Sequence, residues 1–318
     1  MDVSTDLPRH DRDFIGHGGT SPLRAWPNGT RLAVSLVVNV EEGAELSIGM
    51  GDERNEHVYE AVERVEHVRD LCMESHFEYG TRAGWPRLRR ILADHGVSAT
   101  MNASARALAL SPWMARQMIE DGHEICAHGW RWERHANLAE DAEREIIARA
   151  HDTIRGACGI PPVGWHTRSA TSPVTRRLLL EHGGFLYDSN AYNDDLPYLV
   201  NEGGVAHVVI PYAFDTNDMR FLNNGGFVHG EDFARYCMAA FDRLYAEAEH
   251  GIRMMSIGLH LRIIGRPARI GGLECLLEHI RAHEGVWLAR RDEIAAAWRG
   301  ISGLPPWSPR PQAEECGP

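Results

Sequence analysis

Two glutamates stand side by side at 41 and 42, directly after the apolar run 31–39, and histidines close two other apolar stretches, His128 after 124–127 and His260 after 254–259. Adjacent carboxylates push their acidities apart and leave one group poised near neutrality. A histidine ending a buried strand is suited to passing a proton or polarising a carbonyl. Together these residue types can activate water against an amide carbonyl. The residues alone leave open whether Glu41 or Glu42 is the base.

The segment 125–132 reads Ile-Cys-Ala-His-Gly-Trp-Arg-Trp. Four residues after His128 a second imidazole would complete a metal-binding pair on one face of a turn, but position 132 is an indole, which binds no metal. Trp130 and Trp132, flanked by His128 and Arg131, read either as core or as the walls of a flat substrate site. Other polar segments also follow apolar stretches: His166 and Arg168 in 165–168, the stretch 187–189, and Arg262 just after His260. The stretch 215–220, with Asn217 and Asp218, suits hydrogen bonding to amide or ureido groups, or is simply a polar turn.

Positioning these residues needs strands that end together. Apolar runs at 31–39, 98–103, 124–127, 162–165, 185–187, 206–211, 253–259 and 285–288 predict strands. Helical periodicity at 85–94, 112–121, 138–156 (stopping at Gly156), 173–182, 231–249 and 271–283 predicts the helices between them. Such alternation predicts an α/β fold with a mostly parallel sheet or barrel, in which chemistry collects at the C-terminal strand ends. Residues 1–30 read as an extended lead-in, 31–302 as one catalytic barrel and 303–318 as a Pro-rich tail.

The bulk numbers narrow the class. A net charge of −12 argues against nucleic acid as a partner, because phosphate binding needs clustered Lys and Arg. No stretch approaches the length of a membrane-spanning helix, so no membrane partner is expected. The six cysteines, at 72, 126, 158, 237, 275 and 316, form no C-x-x-C pair and read as reduced thiols. The N-terminus shows no secretory pattern, and a cytoplasmic location is expected.

At these segments the chain resembles the polysaccharide deacetylase (NodB-homology) superfamily, a deformed (β/α) barrel of about seven parallel strands. That family's T-F-D-D-G motif corresponds to 39–43 here, with both acids lengthened to Glu; its H-[ST]-x-x-H motif corresponds to 128–132, lacking the second His; its L-x-H-type motif looks like 259–260. The segments at 39–43, 127–132, 187–189, 194–198, 215–221 and 258–267 together resemble the branch of cofactor-independent, uricase-linked allantoinases and cyclic imide hydrolases. The stretch 164–169 departs from that branch, and His229 is an added imidazole.

The resemblance implies hydrolysis of a carbon–nitrogen amide bond in a small cyclic ureide or imide, allantoin first. Glu41 or Glu42 would be the base, His128 and His260 the carbonyl or leaving-group partners, and Arg262 or Arg131 the anion support. No cofactor is expected. A bound divalent metal such as zinc would have Glu42 and His128 as its family-derived ligands, with His166 available to join them. A metal-dependent deacetylase of an N-acetylated sugar or small molecule is a second reading, and an inactive barrel kept as a binding protein a third. Relatives of the branch suggest a homo-oligomer.

Overall fold

All nine residues of Leu32–Val40 (β1) are buried, as expected of a strand covered on both faces of a sheet. The computed structural model describes residues 12–58, 63–222 and 226–310. After β1 come the helix Leu71–Tyr79 (α1), a π-helical turn Gly80–Gly84 and the helix Trp85–Asp94 (α2). Then follow Thr100–Ala103 (β2), Ala105–Leu110 (α3), Pro112–Glu120 (α4), Glu124–Ala127 (β3), Glu140–Cys158 (α5) and Gly164–Trp165 (β4). Next are Thr175–His182 (α6), Tyr187–Asp188 (β5), Tyr198–Glu202 (β6), Val205–Val209 (β7), Gly230–Glu247 (α7) and Arg253–His260 (β8). Leu261–Ile264 (α8), Pro267–Arg281 (α9), Val286–Leu288 (β9) and Arg291–Ile301 (α10) complete the chain.

The sheet runs β6-β7-β5-β4-β3-β2-β1-β8, and every pairing from β7 to β8 is parallel. Those seven parallel strands form a deformed (β/α) half-barrel, as the resemblance implies. Strand β9 pairs with the first residues of β1, while β2 pairs with its last four, so β1 carries two neighbours along one edge. The open side between β7 and β8 is crossed by 210–218, where Asn217 bridges to Gly258. The barrel interior there is closed by Arg291, fully buried at the start of α10. Its guanidinium donates to the carbonyls of Ile210 and Pro211 and to the hydroxyls of Ser189 and Ser256.

The structure departs from the sequence pattern in one helix end and in several added elements. The helix expected to stop at Gly156 runs through it to Cys158 and ends on Gly159 at φ 75°, because a helix tolerates an interior glycine but stops on a left-handed one. The apolar pattern predicts no strand over Tyr198–Glu202, yet the antiparallel β6 forms there, joined to β7 by the two-residue turn Gly203-Gly204, both at positive φ. The helices α1, α3, α8 and α10 lie outside the stretches whose periodicity predicts a helix. The lead-in is anchored where Trp26 is buried, and Arg310 donates its N–H to the Gly183 carbonyl. Cys316, Gly225 and residues 1–11 and 311–318 lie outside the described residues. Among the described residues no helix is long and apolar enough to cross a membrane.

Candidate active site

The C-terminal ends of β1, β3, β4 and β8 deliver Glu41, His128, His166 and His260 to one place. β1 fixes the register: Asn39 pairs with Asn102 of β2 on one side and His260 of β8 on the other. Glu41, 1% exposed, lies at the centre. Its Oε1 faces His128 Nε2 and His260 Nε2, each at 3.6 Å, and its Oε2 accepts a hydrogen bond from Arg262 Nη1 at 2.7 Å. Burial would raise this carboxyl's pKa, but Arg262 first, and then His260, outweigh it and hold the group ionised.

Glu42 has the opposite character. Its Oε2 accepts from the Glu41 N–H at 3.0 Å, but its buried Oε1 has no hydrogen-bond partner and lies 3.8 Å from Arg262 Nη1. Burial, with the Glu41 charge adding to it against Arg262, pushes its pKa up to about 7. The pair is thus one fixed carboxylate and one group that exchanges a proton near neutrality.

Each imidazole is oriented from behind. Asp218 accepts from His260 Nδ1 and from the His260 N–H, both at 2.7 Å, and from the Ile264 N–H at 3.0 Å. Burial would lower the His260 pKa; Asp218 and Glu41 reverse this and raise it. His128 Nδ1 bonds the His166 carbonyl, which can only accept, so Nδ1 carries the proton and Nε2 presents a lone pair when the ring is neutral. His166 itself is engaged on both sides, by Asn102 Nδ2 at 2.8 Å and Tyr192 Oη at 3.3 Å. Burial, with His128 nearby, drives its pKa well down.

The remaining expected residues divide. Trp132 is buried between Arg168, whose Cζ lies 3.2 Å from the ring centroid, and Arg262 at 5.3 Å, with Phe77 edge-on at 6.1 Å. Arg168 also pairs with Glu56 at 3.3 Å. Trp130 is placed elsewhere: Arg149 of α5 covers its ring at 3.5 Å, so the two indoles do not form facing walls. Arg131 is ion-paired with Asp52 rather than turned toward Glu41. Asn217 donates to Tyr212 Oη at 3.2 Å and caps the Met219 N–H, and so sets the turn that aims Asp218. Asp218 therefore orients a histidine, where the sequence suggested a substrate contact. A cavity of about 770 Å³ has Trp132, Arg131, Arg168, Glu56 and His57 in its wall.

Asn39, Asn102 and Tyr212 were not foreseen as site residues. Asn39 Nδ2 donates to Tyr212 Oη at 3.1 Å and to the Leu259 carbonyl at 3.0 Å, joining β1 to β8 beneath the histidines. For the two asparagines a signal is present: an amide that interrupts a buried apolar strand needs a reason to be there.

Residues 68–185 match the family model for polysaccharide deacetylase. A Schizosaccharomyces pombe protein assigned to the polysaccharide deacetylases is 37% identical over 312 residues, covering 90% of this chain and 96% of its own length. The chain belongs to the polysaccharide deacetylase family. A Pseudomonas aeruginosa structure of that assignment is 44% identical with a TM-score of 0.88, and the crystal structure of PuuE allantoinase is 42% identical with a TM-score of 0.88. Each comparison covers 92% of this chain and 98% of the other. The protein is accordingly a hydrolase acting on carbon–nitrogen bonds other than peptide bonds.

The family fold implies a divalent metal held by the second acid and two histidines. The residues here do not make up that set. Trp132 stands in for one histidine, both nitrogens of His166 are already bonded, and the Arg262 guanidinium supplies a fixed positive charge between the two carboxylates. Among the described residues, no three potential ligand groups that include Glu41, Glu42 or His128 bring their donor atoms within 4.8 Å of one another.

Proposed function

We propose that this hydrolase opens the amide bond of a small cyclic ureide or imide, allantoin first, without a metal. The observation that carries the reading is the charge cluster of Glu41 between two imidazoles and Arg262. A water lying between Glu41 Oε1, His128 Nε2 and His260 Nε2 would donate to the carboxylate and to His128 Nε2 and accept from the protonated His260. That leaves one oxygen lone pair for the substrate carbonyl. Glu41 takes the water's proton. His260, kept protonated by Asp218, passes a proton to the leaving nitrogen, and Arg262 offsets the charge that develops on the carbonyl oxygen. Glu42 serves as the proton reservoir beside them, its pKa about 7 matching the working range. Likeness to PuuE allantoinase supports the choice of substrate class.

A second reading, release of acetate from an N-acetylated sugar or small molecule, is favoured by the names of the relatives, including a Helicobacter pylori peptidoglycan deacetylase 28% identical over 249 residues. The two separate in one assay. Metal-stripped protein is offered allantoin, hydantoin, succinimide, dihydrouracil and an N-acetyl sugar. Ring opening unaffected by chelator supports the proposal; acetate release that needs added zinc replaces it with the second reading.

A further inference from the structure

On the outer helices, Asp242 of α7, His279 in the last turn of α9 and His283 just beyond it bring one potential ligand atom each to within 4.8 Å of the others. We propose that these three residues bind a divalent transition-metal ion of the zinc type, tying α7 to the end of α9. The donor set of two imidazoles and a carboxylate suits zinc, and a solvent water would complete a four-coordinate shell. Zinc bonds of ~2.0–2.1 Å in a tetrahedron put neighbouring donors roughly 3.3–3.4 Å apart. His279 Nε2 and Asp242 Oδ1 are now 2.7 Å apart, so a small opening of the cluster accommodates the ion.

The surroundings are those of ligands already aimed. Nδ1 of His283 donates to the His279 carbonyl at 2.8 Å, which leaves Nε2 as its lone-pair nitrogen. The His279 and His283 rings lie 4.8 Å apart, and Phe241 packs edge-on against both, at 5.6 and 5.1 Å. Tyr245 meets His283 at 4.9 Å and is itself held by a bond from its hydroxyl to the Glu284 carbonyl. On binding, the proton that His279 Nε2 now shares with Asp242 moves to Nδ1, and nitrogen and carboxylate turn to the ion. The two helices are already in intimate contact nearer their starts, where a Cβ on Gly272 would overlap the Gly230 carbonyl. The ion therefore clamps a pair whose spacing is set, at half-exposed residues open to solvent zinc.

Zinc chloride titrated into the full chain by equilibrium dialysis, with elemental analysis, tests this. The wild type takes up one saturable ion per chain and gains roughly 4 °C in Tm at a hundredfold excess over Kd. His283→Ala and His279→Gln abolish the saturable ion and that gain, with hydrolase turnover unchanged. Asp242→Asn, at an exposed position where folding is not at risk, weakens uptake about tenfold or more. Absence of saturable uptake by the wild type, or uptake that persists in all three variants, overturns the proposal. The latter result, with uptake lost instead in Glu42→Gln, would move the ion to the catalytic centre and count against the metal-free reaction.

Discussion

Glu41 and Glu42 are neighbours in the chain but opposite in acidity, because only Glu41 is hydrogen-bonded by Arg262 and faced by both imidazoles, while Glu42 sits 3.8 Å from the guanidinium. This has consequences for stability. Glu42 has a folded pKa of about 7, above its unfolded value of 4.5, so the native state binds a proton more tightly than the unfolded chain. Keeping it buried costs stability as pH rises from 4.5 to about 7, on the order of 3 kcal/mol in all. Glu42→Gln should therefore stabilise the protein at pH 8, do little at pH 4, and reduce turnover; urea unfolding at the two pH values measures the difference. Glu41 carries the other sign. Its stabilisation is present above pH 4.5 and disappears as pH falls through its depressed value.

His260 gives a kinetic prediction at the same scale. Asp218 and Glu41 raise its pKa, so its contribution to stability is present below pH 6.5 and is lost as pH rises through the folded value. If protonated His260 is the acid, kcat falls along the same alkaline limb. Asp218→Asn should move that limb to lower pH and lower the plateau by roughly tenfold or more, within the ~10²–10⁴ that a general acid contributes. A pH profile of kcat tests this; an unmoved limb would remove His260 from the acid role.

Among the elements, the π-turn at Gly80–Gly84 explains how Arg262 and Glu42 are held. Both glycines have ordinary helical φ, so conformational freedom is not the reason for them. The reason is space: a Cβ on Gly84 would overlap the Leu261 carbonyl of α8, and one on Gly80 would overlap the Glu42 carboxylate. α8 carries Arg262, so the turn presses the guanidinium against the two acids. Gly84→Ala should cost ~1–3 kcal/mol in stability by overpacking. It should also lower kcat more than it raises KM, because the displaced group is Arg262 rather than a wall of the cavity. Thermal unfolding and steady-state kinetics on the same variant separate the two effects.

The whole molecule depends on how an incomplete barrel closes. Between β7 and β8 there is no strand pairing, and Arg291 fills the gap by bonding two carbonyls and two hydroxyls from three separate segments. Arg291→Met keeps the volume but removes the donor to the Ile210 carbonyl and the Ser189 hydroxyl, leaving Pro211 only the bond from the Ser256 hydroxyl. We expect a loss on the order of 3–5 kcal/mol, read as a lower urea midpoint. This arginine was invisible in the sequence because nothing in 290–293 distinguishes it from the exposed charges of an ordinary helix start.

How much was legible follows from range. Apolar runs ending in polar residues located β1, β3, β4 and β8 and, with them, Glu41, His128, His166 and His260, because a strand buried on both faces leaves the same mark wherever it sits in a sheet. Trp132 in the place of a ligand was equally plain from spacing alone. The parting of Trp130 from Trp132, the capture of Arg131 by Asp52, the turning of Asp218 onto His260 and the unequal acidities of the glutamates depend on residues tens to hundreds of positions away. Sequence by itself determined which side chains arrive at the strand ends, since burial and periodicity are local. Only the tertiary structure decided which of them meet, and so which carry charge, because Coulomb and desolvation energies depend on distances that exist only once the barrel has closed.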